Sequence, residues 1–253
     1  MARALITGAS SGLGAEYARQ LAARGDDLVL VARDETALTA LAEQLRASHG
    51  VAVEVLPTDL LDTVSCGRVE ARLADDAAPV DLLINNAGFG LSLRFESNDV
   101  EDEVKHLRLH DEVPLRLTHA VLPGMLSRGS GAVVNVASVA AFLPRSTYAA
   151  CKRWLVEFSR WANGAYRGRG VTVTAVCPGY THTDFHARLG LPPGKEGVPG
   201  WMWLDAPDVV AESLRDVERG KALSVPSKRY KAVVALLKIV PPDLAAKAGA
   251  RGR

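Results

Sequence analysis

The sequence predicts an α/β fold in which one parallel sheet is doubly wound and helices cover both of its faces, a Rossmann-type arrangement in three layers. Short apolar runs alternate along the chain with stretches of helical periodicity, and this order is typical of parallel βαβ units. The apolar runs are nearly continuous, as expected of strands buried on both faces. A glycine-rich turn joins the first run to the first helical stretch, which is also typical of this class of fold.

The elements follow from this alternation. The predicted strands are residues 4–7, 27–32, 52–57, 82–85, 132–137 and 171–177. The predicted helices are residues 15–24, 35–48, 62–73, 100–122, 147–166 and 207–219. No repeat or compositional break divides the chain, so residues 1–253 are expected to form a single domain. Glycine and proline exclude regular structure from residues 189–203, and residues 228–253 form a basic, apolar C-terminal extension.

Composition excludes several classes of function. A net charge of +1 gives no general attraction for nucleic acid. The three cysteines, Cys66, Cys151 and Cys177, have neither metal-ligand nor paired spacing, so we expect them to be small apolar residues in a reducing compartment. The chain begins on a strand rather than a signal peptide, and no apolar run approaches the ~20 residues of a membrane span. We therefore expect a cytoplasmic protein with no nucleic-acid partner and no bound metal.

The glycine turn has the spacing of a dinucleotide-binding fingerprint. Gly8, Gly12 and Gly14 lie between a short strand and an amphipathic helix, which is the context that such a fingerprint requires. Gly8 permits the tight turn, Gly12 lets the backbone approach a pyrophosphate, and Gly14 lets the helix pack closely on the sheet. The free N–H groups at the start of the helix then face the phosphates. An ordinary glycine turn is the alternative.

Tyr148 and Lys152 form a candidate acid–base pair. They are four residues apart, and Ser138 lies ten residues before the tyrosine. Residues i and i+4 share a face of a helix, so the ammonium is expected beside the phenol. A neighbouring cation lowers the pKa of tyrosine from its usual ~10, which suits proton transfer near neutral pH. Taken alone, such a pair is more often an ordinary surface pair.

Four motifs in this order resemble the short-chain dehydrogenase/reductase family. They are residues 7–14 at the glycine turn, Asn85-Asn86-Ala87-Gly88, Ser138 with Tyr148 and Lys152, and residues 178–183, Pro-Gly-Tyr-Thr-His-Thr. The resemblance covers the chain to about Arg219. It implies hydride transfer between a nicotinamide cofactor and a carbonyl or alcohol. In that reaction Tyr148 gives or takes the proton, Lys152 binds the nicotinamide ribose, and Ser138 donates a hydrogen bond to the substrate oxygen.

The choice of cofactor is predicted from the end of the second strand. An enzyme that uses NAD generally has an acidic residue there, whereas this chain has Ala32 followed by Arg33. A guanidinium pairs with a 2′-phosphate and stacks on adenine, so NADP(H) is expected, with a solvated Arg33 as the alternative. Asp59 resembles the residue that contacts the adenine amine, with a helix N-cap as the alternative. The expected cofactor contacts are Gly8, Ser10, Ser11, Gly12, Leu13, Gly14, Arg33, Asp59, Leu60, Asn86, Ala87, Gly88, Tyr148, Lys152, Pro178, Gly179, Thr181 and Thr183.

One catalytic position departs from the family pattern. The family usually has an asparagine in the helix before the fifth strand, where it helps to hold a water on a proton path from the lysine, and His110 aligns there. Histidine also donates and accepts hydrogen bonds, so His110 remains a candidate catalytic residue. It equally motivates an alternative, a catalytically silent NADP-binding regulatory or structural homologue. His106 and His110 lack a third ligand motif, which disfavours a metal site.

The substrate is expected to be a small apolar carbonyl compound or alcohol. The apolar residues expected in its pocket are Phe89, Leu91, Phe142, Trp201, Met202 and Trp203. Residues 189–203 are expected to form a lid over it, with a permanently packed loop as the alternative. We expect the C-terminal extension to pack on its own subunit or on a dimer partner, and contact with a membrane surface is the less favoured alternative.

A homodimer or homotetramer is expected from the two long helices, residues 100–122 and 147–166. Their apolar residues extend beyond a single core-facing stripe, which suggests burial on a second side. Those residues are Leu107, Leu109, Val113, Leu115, Leu117, Trp154, Leu155, Phe158 and Trp161.

Overall fold

A computed structural model describes residues 2–183, 185 and 198–237, and it confirms the predicted fold class. Seven parallel strands form one sheet in the order β3-β2-β1-β4-β5-β6-β7. They are β1 (Arg3–Thr7), β2 (Asp27–Ala32), β3 (Val53–Pro57), β4 (Leu82–Asn85), β5 (Gly131–Val136), β6 (Val171–Val176) and β7 (Leu223–Ser224). Each predicted strand is present, with its ends shifted by at most one residue. The sequence did not predict β7, because a strand of two residues is too short to show a pattern.

The helices connect the strands and cover the sheet. They are α1 (Gly12–Ala23), α2 (Glu35–His49), α3 (Thr63–Leu73), α4 (Val100–Leu107), α5 (Val113–Arg128), α6 (Thr147–Tyr166), α7 (Ala206–Glu218) and α8 (Lys228–Leu237). Three of them begin at aspartate caps, since Asp34 accepts the N–H of Ala37, Asp62 accepts the N–H of Ser65 and Asp99 accepts the N–H of Glu101.

The prediction of one continuous helix over residues 100–122 is wrong. A π-helical turn, Arg108–Glu112, separates α4 from α5, and the N–H of Val113 donates to the carbonyl of Arg108. Pro114 explains the change of pitch, because it has no N–H to give to the carbonyl of His110 and its ring crowds that carbonyl. Single π-helical turns are frequent at functional sites, and this one contains His110.

Alternate side chains of the strands face opposite layers of helices. In β1, Ile6 packs into an apolar cluster with α1, α2 and α7, whereas Leu5 packs into a second cluster with α3, α5 and α6. β4 divides in the same way, with Ile84 in the first cluster and Leu83 in the second. This alternation is the three-layer arrangement predicted from the apolar strands.

The order of the strands creates a crevice. From β1 the chain builds outwards to β2 and β3, and then returns to place β4 on the other side of β1. Ligands of such sheets bind where the order reverses, beyond the carboxyl ends of the strands. The glycine turn follows β1 and the Asn85–Gly88 motif follows β4, so the fold brings these two motifs together.

The described part of the C-terminal extension packs on its own subunit. Tyr230 and Val234 of α8 are buried in an apolar cluster with Leu155 and Val209. The Tyr230 hydroxyl accepts the N–H of Tyr180 at 3.1 Å and donates to the carbonyl of Met202 at 2.8 Å. Residues 238–253 lie outside the described residues. No helix within the described ranges combines the length and apolarity that crossing a bilayer requires.

Candidate active site

A cavity of about 720 Å³ lies at the carboxyl ends of the strands, in the crevice between β1 and β4. It is lined by every catalytic and cofactor-binding residue predicted from the sequence except Gly14. Gly14 is buried behind the turn, where an added Cβ would lie 2.2 Å from the carbonyl oxygen of Gly8. The absence of a side chain therefore allows α1 to approach β1 closely.

Hydrogen bonds fasten the glycine turn to the end of β4. Oγ1 of Thr7 donates to the carbonyl of Ile84 at 3.3 Å and accepts the N–H groups of Asn86 and Ala87 at 2.9 and 3.0 Å. Nδ2 of Asn86 donates to the carbonyls of Thr7 and Gly8 at 3.0 and 3.2 Å. The side-chain amide of Asn86 thus binds the protein's own backbone and holds the glycine turn in position at the edge of the cavity. The sequence reasoning did not single out Thr7, although its hydroxyl at the last position of the first strand was the available signal.

The adenine end of the cavity carries Arg33 and Asp59. Arg33 is exposed and forms no hydrogen bond or ion pair with any described residue. Its neighbour Asp34 is engaged as the cap of α2, with Oδ1 accepting the N–H of Ala37 at 3.0 Å, so the two do not pair. The alternative role of Asp59 as a helix cap is wrong, because Asp62 caps α3. Oδ1 of Asp59 instead accepts the N–H of Leu61 at 3.0 Å.

Ser138, Tyr148 and Lys152 meet on the opposite side of the cavity. Ser138 follows β5 and hydrogen-bonds to Tyr148. Both Tyr148 and Lys152 belong to the first turns of α6, so the predicted i,i+4 placement is present. The Lys152 side chain is only 5% exposed, and its Nζ donates to the carbonyl of Val136 at 2.8 Å. The same Nζ lies 5.6 Å from the centre of the Tyr148 ring.

Burial shifts the pKa values of this pair. The expectation of a lowered pKa for Tyr148 is wrong for the protein without cofactor, because desolvation raises the pKa of Tyr148 to about 12 despite the hydrogen bond from Ser138. Desolvation also lowers the pKa of Lys152 to about 8. The Lys152 ammonium donates to the carbonyl of Val136, and its charge alone does not offset the cost of burying a phenolate.

His110 lies beside Tyr148, with ring centres 5.6 Å apart and the planes nearly perpendicular. Its Nε2 lies 2.8 Å from the carbonyl oxygen of Phe89 and 3.3 Å from its N–H. Nδ1 is buried and has no partner among the residues that the structure describes. Burial, and then the charge of Lys152, hold the pKa of His110 well below its usual range. His110 is therefore a neutral imidazole with one hydrogen-bonding nitrogen left over.

The substrate side of the cavity differs from the prediction. Phe89 and Leu91 line it as expected. Phe142 and Met202 instead pack against the apolar cluster around α8, and Trp201 is exposed. Trp203 stacks on His182 with ring centres 4.8 Å apart. Residues that the sequence reasoning missed, and that line the cavity, include Gly90, Leu93, Leu143, Arg145, Tyr180 and Phe185. All of them except Phe185 come from irregular segments, where periodicity gives no signal.

Residues 189–197 of the predicted lid lie outside the described residues. Its described end is fixed to the body of the protein. Leu204 N–H donates to the carbonyl of Tyr180 at 2.8 Å, and His182 N–H donates to the carbonyl of Leu204 at 2.9 Å. Arg229 also hydrogen-bonds to the carbonyl of Trp201. For residues 198–203 these contacts favour the packed-loop alternative.

The residues present fit a dinucleotide. Gly8 and Gly12 have φ of +66° and +56°, a region that favours glycine, and they bring the backbone to the start of α1. Across the described ranges no group of three or more His, Cys, Asp or Glu side chains is arranged to hold a metal ion.

The model of the family described as short chain dehydrogenase matches residues 2–192. The chain belongs to this short-chain dehydrogenase family. A relative in sequence is the ketoacyl reductase HetN of Nostoc sp., which is 34% identical over 181 residues, 70% of this chain and 62% of the relative. The match therefore spans less than two thirds of that relative's own length.

Two solved short-chain dehydrogenase structures resemble this chain over nearly its whole length. One is the short-chain dehydrogenase from Sphingobium yanoikuyae in complex with NADPH, with 36% identity, a TM-score of 0.85 and 94% of each chain covered. The other is the bulky-bulky ketone specific alcohol dehydrogenase from Comamonas testosteroni, with 31% identity, a TM-score of 0.80 and 95% of each chain covered.

Proposed function

We propose that this short-chain dehydrogenase is an NADP(H)-dependent carbonyl reductase or alcohol dehydrogenase that acts on apolar carbonyl compounds or secondary alcohols. The observation that carries the proposal is the meeting of Ser138, Tyr148 and Lys152 on one wall of a cavity whose other wall is the glycine turn. The exposed guanidinium of Arg33, which pairs with no residue that the structure describes, and the NADPH bound by the similar Sphingobium enzyme support NADP(H) as the cofactor.

The cofactor supplies or accepts the hydride when it is bound. Tyr148 holds the transferable proton, and its raised pKa keeps it a phenol, ready to donate to a carbonyl oxygen. Ser138 donates a hydrogen bond to the same oxygen and stabilises its developing negative charge. Lys152, whose Nζ donates to the carbonyl of Val136, contributes a positive charge beside the phenol. That charge favours the phenolate left after the proton has gone.

An apolar substrate fits the lining of the catalytic end. Phe89, Leu91, Leu93, Leu143 and Phe185 all face the cavity. The Comamonas enzyme, which is specific for bulky-bulky ketones, is similar in fold over 95% of this chain, and this similarity supports ketones with two large substituents as the first compounds to test.

We also propose that the chain forms one catalytic domain and assembles as a homodimer or homotetramer through α4–α5 and α6. Exposed apolar side chains on these helices, including Leu107, Leu115 and Trp161, support the proposal. Location in the cytoplasm stays a prediction.

The test is the oxidation of NADPH by the purified protein with a panel of apolar ketones, in the wild type and in Tyr148→Phe. Phenylalanine keeps the ring and removes the proton, so we expect turnover to fall by at least ~10²-fold while NADPH still binds. Tyr166→Phe, at the other end of α6, is the matched control and should turn over normally. Equal turnover in Tyr148→Phe would refute the role of the phenol. NADPH binding without turnover of any compound would instead support the alternative of a catalytically silent NADP-binding homologue.

A further inference from the structure

A second arginine lines the cavity at its catalytic end, and the proposed reaction makes no use of it. Arg145 lies in the loop between Ser138 and Tyr148, three residues before the tyrosine. It is half-buried, and its side chain forms no hydrogen bond or ion pair with any residue that the structure describes. A partly desolvated charge without a partner is costly, so its place on the cavity wall indicates a ligand of opposite charge.

The backbone of this loop directs Arg145 into the cavity. Leu143 is extended, with φ −120° and ψ 120°, and Ser146 is extended where it caps α6, with φ −168° and ψ 165°. Side chains alternate along an extended segment, so Leu143 and Arg145 share one side and Pro144 faces the other. The exposure agrees, because Leu143 and Arg145 line the cavity whereas Pro144 is exposed to solvent.

Hydrogen bonds hold this loop at both ends. The N–H of Val139 donates to the carbonyl of Pro178 at 3.0 Å. At the other end, Oγ of Ser146 accepts the N–H of Ala149 at 3.2 Å. Arg145 is therefore attached to a segment that is fixed beside the catalytic tyrosine, and a residue that selects substrates requires such support.

No carboxylate in the described part of the chain faces Arg145 at the catalytic end. The carboxylates that line the cavity there and elsewhere are Asp34 and Asp59, and both lie at the adenine end. The ammonium of Lys152 lies at the catalytic end as well. An anion that enters this end therefore meets positive charge and no described negative charge.

The negative charges of the cofactor have other contacts. The pyrophosphate is expected at the glycine turn and the start of α1, and the 2′-phosphate is expected at Arg33. These groups form the wall opposite Ser138 and Tyr148. Arg145 lies in the loop between Ser138 and Tyr148, so its charge is left for the substrate.

We propose that Arg145 binds a carboxylate of the substrate, which is a keto acid, or the corresponding hydroxy acid, with an apolar chain. The inference rests on the proposed function, because it places the keto group at Ser138 and Tyr148. The ketone gains a hydride from NADPH and a proton from Tyr148 and becomes a secondary alcohol, and the carboxylate does not react. Leu143, beside Arg145 on the same wall, contacts the apolar chain.

The chemistry of the guanidinium favours a carboxylate over a phosphate. Its planar fork matches the two oxygens of a carboxylate and binds both at once. The single guanidinium at this end also balances the single charge of a carboxylate, whereas a phosphate monoester brings a charge of about −1.5 to −2.

The contact should act on binding and leave the chemical step unchanged. The carboxylate is remote from the reacting carbon and keeps its charge throughout, so the bound substrate and the transition state gain equally. Removing the guanidinium should therefore raise KM with little change in kcat. A charge-assisted hydrogen bond corresponds to a change in binding of roughly tenfold or more.

The experiment compares straight-chain keto acids with their methyl esters, which keep the shape and lose the charge. The series varies the number of carbons between the keto group and the carboxylate, and NADPH oxidation gives kcat and KM for each compound. Arg145→Gln removes the charge, and Arg145→Lys keeps the charge but loses the planar fork. Arg94→Gln is the matched control, because Arg94 is exposed outside the cavity directly after Leu93, which lines it.

In the wild type, the acid of the best-fitting length should have a KM roughly tenfold or more below that of its ester. In Arg145→Gln the KM of the acid should rise to that of the ester, while the kinetics of the ester stay unchanged and show that the variant is folded. Arg145→Lys should have an intermediate KM for the acid, and Arg94→Gln should behave as the wild type.

Three results would overturn the carboxylate site. The first is a wild type that binds no acid of the series better than its ester. The second is an equal rise in KM for acid and ester in Arg145→Gln. The third is a rise in Arg94→Gln as large as that in Arg145→Gln, which would show that the charge acts only at a distance.

A binding measurement separates this inference from the proposed function. Octanoate and the neutral octanamide have no keto group, and calorimetry in the presence of NADPH measures their affinities. Octanoate binding that weakens roughly tenfold or more in Arg145→Gln, in a protein that reduces no ketone, would uphold the carboxylate site and refute the proposed function. Turnover of neutral ketones, with octanoate and octanamide affected equally by Arg145→Gln, would refute the carboxylate site and leave the proposed function standing.

Discussion

At the scale of single residues, His110 and Gly88 depend on each other. A Cβ at position 88 would come within 2.5 Å of Cε1 of His110. The imidazole is also held by the backbone of Phe89, with Nε2 2.8 Å from the carbonyl oxygen. The imidazole of His110 therefore occupies a fixed position between Phe89 and Tyr148. It fits there only because Gly88 has no side chain.

Arg33 is the residue on which the preference for NADPH is predicted to rest. Its guanidinium is free of any described partner at the adenine end of the cavity, so a 2′-phosphate meets a charge that is not already neutralised. Arg33→Ala should weaken NADPH binding by roughly 1.5–3 kcal/mol, which is tenfold or more. NADH lacks the phosphate, so its affinity for the same variant should change little and serves as the control. Fluorescence titration measures both, and a wild type that prefers NADH would contradict the prediction.

At the scale of elements, the contact between β1 and α1 depends on Gly14. A Cβ there would lie 2.2 Å from the backbone oxygen of Gly8, which cannot move without opening the turn. Gly14→Ala should therefore destabilise the protein by about 1–3 kcal/mol and reduce NADPH binding. Gly164→Ala is the matched control, because Gly164 lies exposed in α6 with no atom within 4 Å of the added Cβ.

Alanine has the higher helix propensity, so Gly164→Ala should stabilise the protein by about 0.5–1 kcal/mol. Chemical denaturation of both variants measures the two free energies of unfolding. Equal changes in the free energy of unfolding in the two variants would show that the close contact between Gly14 and Gly8 does not determine stability.

The elements also show which features of the structure the sequence can predict. Apolar runs and helical periodicity predicted the strands β1 to β6 and the bounds of α6, because these segments are buried in a regular pattern. Periodicity did not reveal the π-helical turn, although Pro114 within the predicted helix was a signal for it. The motifs predicted which residues line the cavity, but not the pKa of Tyr148, since burial depends on every layer that packs around the ring. Phe142 and Trp201 were misplaced because an apolar side chain in a loop does not indicate which surface it covers.

At the scale of the whole molecule, the apolar residues of the two long helical segments differ in their exposure. Val113, Leu117 and Leu155 are buried within the subunit, so they explain nothing about assembly. Leu107, Leu115, Trp154 and Trp161 are exposed. On α6 the rings of Trp154, Phe158 and Trp161 follow one another, with centres 5.0 and 5.9 Å apart. An exposed row of aromatic rings is typical of an interface between proteins.

Trp161 tests whether this row joins two copies of the chain. Its side chain is 60% exposed, and the 61% exposed Trp201 offers a matched control outside the row. We expect the wild type to be a dimer or tetramer by light scattering at micromolar concentration. Trp161→Glu should weaken assembly by about 2 kcal/mol or more, because a buried aromatic anchor would be replaced by a charge that must stay solvated. Trp201→Glu should leave assembly unchanged. A monomeric wild type, or equal dissociation in both variants, would place the interface elsewhere or show that there is none.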